Sequence, residues 1–429
     1  MHPNLLIFIL FAISLNFPNL IKIGFSGAPF GFLFCSLLVF PYLVNVIIGK
    51  IKIEIQLLAF LLLFLVTFIW SIYSINLNVN EYIIRFFQVF AAFVVYTYSK
   101  KNFFINISNL KILKILLICQ TPSFAFGIFE VINIFLDLEI ISSGLLMIRS
   151  ITASGREDVT LLNTIVLHFL EHSMSSFYFI SFLIIIPLLL SSKNWRQEIK
   201  SDYMLLATIS LFFIIALFHR STSFILILTI SLFLITIYSR RFLLLMAFLP
   251  LVIVIIISAP QLLIKISMIL NGNLITSDMF RATTIFSSFT TFYDTFLFGS
   301  GSGTFSNTYY PSLINFVEYL NLDYELESLI LSNNYVESYK YGNRPPLNSA
   351  YSVLISEYGI LFIIFIILFH KGCFKLKKIY DVYEVIIILC LFLSYPIAYP
   401  YLWLVLGLIH MRRSIDLNLK MEKRNDIGS

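Results

Sequence analysis

Three kinds of residue in this 429-residue chain have types and spacings suited to chemistry. The first is a set of arginines, Arg149, Arg156, Arg220, Arg281 and Arg344, scattered along the sequence. A guanidinium stays charged and presents a planar fork of donors matched to phosphate oxygens, so such a set suits a diphosphate. The second is acid and imidazole: Glu171 and His172 in FLEHSMSSF, with His168 just before them, and Glu357 in LNSAYSVLISEYGILF, which carries Asn348 at its start. Glu171, Glu357 and His172 are the candidates for a general base, or for a group that orients a reacting hydroxyl. The third is FLFGSGSGTFSNTYY (296–310), where Gly299, Gly301 and Gly303 mark a backbone that turns sharply or approaches something closely. This is not the nucleotide P-loop, which needs a Lys after its last Gly where this chain has Thr304. If the glycine patch meets a phosphate, the positive charge comes from elsewhere.

The elements that must position these residues follow from composition. The chain is 59% hydrophobic and 12% charged, with a mean hydropathy of +0.92, whereas soluble domains carry about 25% charged residues. Apolar stretches fall near 4–21, 29–48, 56–75, 82–98, 112–135, 172–190, 203–218, 221–238, 242–259, 349–369, 384–396 and 398–410. Segments of that length predict membrane-crossing helices, because hydrocarbon leaves each backbone amide to be satisfied internally. The expected class is therefore an all-α polytopic integral membrane protein with about 12 transmembrane helices, residues 1–429 forming a single transmembrane domain. Alternate connections hold most of the 29 Lys and Arg residues: Lys50 and Lys52, Lys100 to Lys114, Lys193 to Lys200, Arg240 and Arg241, Lys371 to Lys378, and the tail from Arg412. The positive-inside rule places these connections, and both termini, in the cytoplasm. SYPIAYPY (394–401) leaves open whether 384–410 is one kinked span or two. The first block lacks a basic n-region and a cleavage site and reads as a retained helix. No two of the four cysteines fall in an outer loop, so no disulfide is expected. No zinc, haem or P-loop signature is present, and Glu318, Asp323, Glu325, Glu327 and Glu337 have no metal-ligand spacing, so neither a metal nor a cofactor is expected.

Two outer loops are long, loop three (136–171) and loop five (260–348), and loops of such length are usually functional. The arginines above fall in these loops or, for Arg220, in the tight HRSTS turn. Their alternative use is to snorkel to the interface or pair with Glu157, Asp158, Asp278 or Asp294. The stretch Arg281–Phe298 predicts a helix at the outer surface, capped by Ser277 or Asp278. Its aromatic stripe is Ile285, Phe289, Phe292 and Phe296, with Thr284, Ser287, Ser288 and Thr291 on the other side. Gly299 is expected to end this helix and the glycines to turn the chain back toward a site.

In combination these features resemble the Wzy-type O-antigen and capsular repeat-unit polymerases, within the O-antigen polymerase and ligase superfamily. RATTIFSSFTTFYDTFLFGSGSGTF is similar to that family's Arg, helix, then G-x-G stretch. LNSAYSVLISEYGILF is similar to its Asn, apolar helix, then Glu-x-Gly, while FLEHSMSSF and HRSTSFILIL resemble two further elements. The resemblance implies glycosyl transfer at the outer face of the inner membrane, from an undecaprenyl-diphosphate-linked glycan to a lipid-linked repeat unit. Arg156, Arg220 and Arg281 would then bind the diphosphate, with Arg149, Arg344, Asn348 and the three glycines as further substrate contacts. The implied partners are the lipid-linked oligosaccharide, membrane lipid, and a chain-length regulator and flippase of the same pathway, with no nucleic acid. Two alternatives stay open. Ligases of the superfamily usually carry a His just before the loop-five Asn, where this chain has Leu347, which turns the weight toward polymerase. A flippase would need polar or charged residues through the middle of several spans and no long outer loop, whereas mid-span charges are almost absent here and the longest segment is an outer loop.

Overall fold

The computed structural model describes residues 3–15, 21–23, 26–28, 40, 42–50, 55–73, 79–101, 108–136, 143–144, 172–190, 202–217, 219, 276–321, 324–332, 336–337, 349–373, 378–393 and 400–428. Within them stand thirteen helices of eight residues or more and one short strand pair. In chain order these are α1 (Pro3–Ser14), β1 (Ile21–Ile23), β2 (Ser26–Ala28), α2 (Ile55–Tyr73), α3 (Val79–Lys101), α4 (Asn109–Cys119), α5 (Thr121–Leu136), α6 (His172–Leu189) and α7 (Tyr203–Leu217). After them come α8 (Thr276–Asp294), α9 (Phe305–Leu320), α10 (Tyr324–Leu331), α11 (Ala350–Phe369), α12 (Ile379–Leu393) and α13 (Pro400–Gly428). The class is helical, as the apolar composition requires.

The main core gathers buried side chains from α1, α3, α4, α6, α7, α11, α12 and α13, among them Phe8, Phe93, Leu116, Tyr178, Phe212 and Leu404. A second, smaller core surrounds α9, where Phe305, Tyr309, Leu313 and Val317 meet Ile330, Val336 and Val353. The segment read as loop five thus contributes three helices among the described residues and a core that it shares with Val353 of α11.

Among the described residues α11 has the length and hydropathy of a membrane span, and α4 with α5 meets the same test as a pair bent by 52°. Several expected spans take other forms. In the first apolar block the described helix runs to Ser14, and Ile21–Ile23 at its expected end pairs antiparallel with Ser26–Ala28. The fifth breaks at Gln120 because Pro122 has no N–H to donate. The Thr121 hydroxyl takes the Ile118 carbonyl at 2.6 Å instead, and the Gln120 amide donates to the Ala12 carbonyl at 2.6 Å.

The tenth expected span departs most. Gly359 inside α11 has φ 63° and ψ −147°, outside helical geometry. The Tyr351 hydroxyl lies 2.8 Å from Nε2 of His370, 19 residues on, where a straight helix would separate the two by about 28 Å. α11 therefore folds back at Gly359 into two limbs. The last helix runs to Gly428, well past the expected end at 410, since 411–427 is rich in Lys, Arg, Leu and Met and has no Gly or Pro. Glu384 of α12 bonds both His410 and Arg413 of α13, so these helices lie back along one another: 384–410 is two helices, not one kinked span. The expected spans 221–238 and 242–259 lie outside the described residues.

Candidate functional site

The site is a joint between the glycine-serine stretch and the break in α11. α8 and α9 run parallel: Thr283 Oγ1 meets the Tyr309 hydroxyl at 2.7 Å, Thr291 Oγ1 donates to Ser312 Oγ at 2.8 Å, and Asn315 Nδ2 donates to Asp294 Oδ2 at 2.8 Å. Residues 295–304 must therefore carry the chain back along the helices. The return brings the start of α9 level with the first half of α8, which holds Arg281. The polar residues of α8 form the packed face, with Thr284, Ser287, Ser288 and Thr291 buried, while Phe286 and Phe289 are exposed. Burial raises the Tyr309 phenol above its ordinary range, so it remains a neutral hydrogen-bonding group.

α8 ends at Asp294, earlier than the expected Gly299, and the chain passes through positive φ at Phe296 and Leu297. It then docks on the α11 break through backbone groups. Ser300 N donates to the Ser356 carbonyl at 2.8 Å, Gly301 N to the Glu357 carbonyl at 2.9 Å, and Ile360 N to the Leu297 carbonyl at 2.8 Å. Unbroken helix would send Ile360 N to Ser356 and Leu361 N to Glu357. The break frees those two carbonyls and the return segment satisfies them. Contact this close leaves no space for side chains. A Cβ on Gly299 would lie 2.6 Å from the Glu357 carbonyl oxygen, and one on Gly359 would strike the Phe298 and Leu297 backbone. Both glycines also hold a positive φ that other residues rarely adopt. Gly303 also packs closely, a Cβ there lying 2.9 Å from the backbone of Tyr82 in α3.

Side chains complete the joint. Ser302 Oγ lies 2.9 Å from the Tyr358 hydroxyl, and Thr304 Oγ1 donates to Ser300 Oγ at 2.6 Å. Glu357 is wholly buried, and its Oε1 accepts from Phe305 N, the first amide of α9, at 3.4 Å. A carboxylate there sits at the positive end of the helix dipole.

Of the residues singled out in the sequence, the structure brings together Glu357, Gly299, Gly301 and Gly303. The amides of Gly299 and Gly301 are already engaged within the chain, by Thr295 Oγ1 and the Glu357 carbonyl. The backbone of Arg281 lies in the second turn of α8, and that of His172 opens α6. Arg149, Arg156, Glu171, Arg220, Arg344 and Asn348 lie outside the described residues. Tyr358 and Ser302 were not singled out in the sequence, and Gly359 entered only as the end of the Glu-x-Gly stretch, not as a break in the helix. The signal present was Gly359 itself, two residues past an acid inside an apolar block. A second buried cluster, around His370, Glu384 and His410, was also missed, because its members stand in three separate helices. No protein-family model matches the chain, and no curated protein or solved structure matches it either.

Proposed function

We propose that the chain is a glycosyltransferase of the bacterial inner membrane that polymerises a surface polysaccharide. It would transfer a growing glycan from undecaprenyl diphosphate to a lipid-linked repeat unit. The observation that carries this reading is the joint itself: the G-x-G stretch and the Glu-x-Gly stretch, two of the four that resemble the polymerase family, interlock through three backbone hydrogen bonds. This reading sets the chain in a membrane, which the outward-facing side of α2 supports. There Leu58, Leu62, Leu65, Val66, Ile69 and Trp70 are each about half exposed, an apolar surface that water would not favour and lipid would accept.

In this reading the leaving group is a diphosphate, and the protein must stabilise the charge that develops as the glycosidic C–O bond breaks. Arg156, Arg220 and Arg281 supply that charge, each such interaction contributing ~3 kcal/mol to the transition state. Parallel pairing of α8 and α9 sets Arg281 level with the start of α9, where Glu357 anchors the helix. Glu357 is then a positioning residue, and Glu171 or His172 takes the proton from the acceptor hydroxyl, an effect of about 100-fold or more.

The test is deletion of the gene in its source strain, followed by electrophoresis of surface glycolipids with wild-type and Arg281→Ala complementation. Core carrying a single repeat, with the ladder absent, is the expected result, and Arg281→Ala should fail to restore the ladder. Bare core with polymer retained on the lipid carrier would make the chain a ligase. Bare core without outward-facing lipid-linked repeats would make it a flippase.

A further inference from the structure

Away from the glycine joint, three helices bring two imidazoles and a carboxylate to one point. His370 caps the second limb of α11, Glu384 lies in the second turn of α12, and His410 lies in α13. His370 Nδ1 is 2.7 Å from Glu384 Oε1, and His410 Nε2 is 2.9 Å from the same oxygen. All three donor atoms lie within 4.8 Å of one another, and all three residues are buried. We propose that this cluster binds one zinc ion, with His370 Nδ1, His410 Nε2 and Glu384 Oε1 as its protein ligands and a fourth position left for water.

The chemistry of the donor set is the first argument. Two neutral imidazoles and one carboxylate, each offering one atom, are a ligand set that zinc takes when one coordination position stays open. The outer contacts are the second. A metal-bound imidazole needs an acceptor for its far N–H, which fixes the ring. Here the Tyr351 hydroxyl lies 2.8 Å from His370 Nε2, and the Tyr96 hydroxyl 2.6 Å from His410 Nδ1. When zinc takes the inner nitrogens, each imidazole carries its proton on the outer nitrogen and donates it to that tyrosine. The tautomer changes and no proton need leave. Glu384 is oriented in the same way, since Arg413 donates to its other oxygen, Oε2, at 2.5 Å and leaves Oε1 aimed at the imidazoles.

Charge is the third argument. Arg413 also pairs with Asp381 at 2.8 Å, so one guanidinium serves two buried carboxylates. A buried carboxylate gains from each cation brought beside it, and a zinc ion on Oε1 would add to what Arg413 supplies on Oε2. Geometry sets the cost of entry. Ligand bonds of about 2.0–2.2 Å in tetrahedral array hold neighbouring donors about 3.4 Å apart. The two N···O separations must therefore widen from 2.7 and 2.9 Å, and the two imidazole nitrogens, within 4.8 Å of each other, must settle to the same spacing, an adjustment shared by three side chains. The bound ion would tie α11, α12 and α13 together at the end remote from the glycine joint. It is independent of the polymerase reading, so the failure of either leaves the other standing.

The experiment uses the full-length chain, made without a polyhistidine tag, purified in detergent, stripped with a chelator and titrated with Zn²⁺ and with Co²⁺. One zinc per chain by elemental analysis, with visible absorption bands of four-coordinate Co²⁺ at one equivalent, is the expected result. His410→Ala should abolish the stoichiometric site. Tyr96→Phe, which keeps every ligand, should weaken binding about 10- to 100-fold. Ser302→Ala, at the glycine joint, should bind as wild type does. A folded wild-type chain that takes up less than stoichiometric zinc and gives no cobalt spectrum overturns the proposal, leaving a hydrogen-bonded polar cluster. Equal uptake by His410→Ala overturns it too, by placing the metal elsewhere. The wild-type titration needs no substitution, so a variant that fails to fold does not mask the answer.

Discussion

Around Gly359 the chain is joined backbone to backbone, whereas around Glu384 it is joined side chain to side chain. The second limb of α11 links the two regions: Gly359 starts it and His370 ends it, roughly 16 Å of helix apart. At the first, three amides and three carbonyls from sequence-distant segments satisfy one another, and glycines allow the approach. At the second, two tyrosines, two histidines, two carboxylates and an arginine meet inside an apolar bundle. The first arrangement fixes where the chain runs and tolerates almost no added volume. The second fixes how helices are oriented and depends on every charge keeping its partner.

That difference orders the expected effects of substitution. Gly359→Ala should be the most damaging, on the order of 4 kcal/mol, because strain at positive φ adds to collision with backbone that cannot move aside. Thermal unfolding in detergent measures it, and a midpoint near wild type would mean that the α11 break is not held by this contact. Next is Glu384→Ala, which leaves Arg413 with Asp381 as its one remaining carboxylate among the described residues and should cost about 3–4 kcal/mol, as loss of a buried charge partner does. The loss should persist at high salt, since burial shields the pair from screening. A salt-sensitive loss would place the cluster in contact with water. Ser302→Ala removes one buried hydrogen bond to Tyr358 and should cost about 1 kcal/mol. That makes it a probe of the joint that does not dismantle it. A loss as large as that of Gly359→Ala would show that side chains, not backbone, carry the joint.

The two regions also differ in how much of them the sequence disclosed. Glycines announce themselves, because Gly299, Gly301 and Gly303 interrupt an apolar chain and their freedom has few other uses. What remained hidden was their partner. The break at Gly359 lies inside an apolar block that reads as an ordinary span, and composition carries no record of a helix folding back. The bend at Gln120 was hidden in the same way, although Pro122 marks it. His370, Glu384, His410 and Arg413 gave no signal at all. Their spacings follow no local motif, and convergence of three helices is a tertiary fact. Even the polar face of α8 was legible only as a pattern: its Thr and Ser periodicity was plain, but that this face packs on α9 and the aromatic face stays outward was not.

The smallest expected effect tests the parallel pairing that sets Arg281 level with the start of α9. The Tyr319 hydroxyl donates to Asp294 Oδ1 at 2.9 Å, and this bond raises its phenol above the ordinary value of 10.0. Because the folded value is the raised one, the bond supports the pairing at all pH values below 10.0 and is lost as pH climbs through the folded value. Tyr319 is 61% exposed, so solvent screening keeps the stabilisation small. An alkaline absorbance titration of wild type against Asp294→Asn isolates it, since one of the 23 tyrosines should ionise at lower pH in the variant. The unfolding midpoint near neutral pH should scarcely move. Superimposable titrations would remove the Tyr319–Asp294 bond, and the alignment of Arg281 with Glu357 would then rest on the remaining contacts, among them those of Thr283, Ser287 and Thr291, the Asn315–Asp294 bond and the stacked Phe286–Phe316 pair.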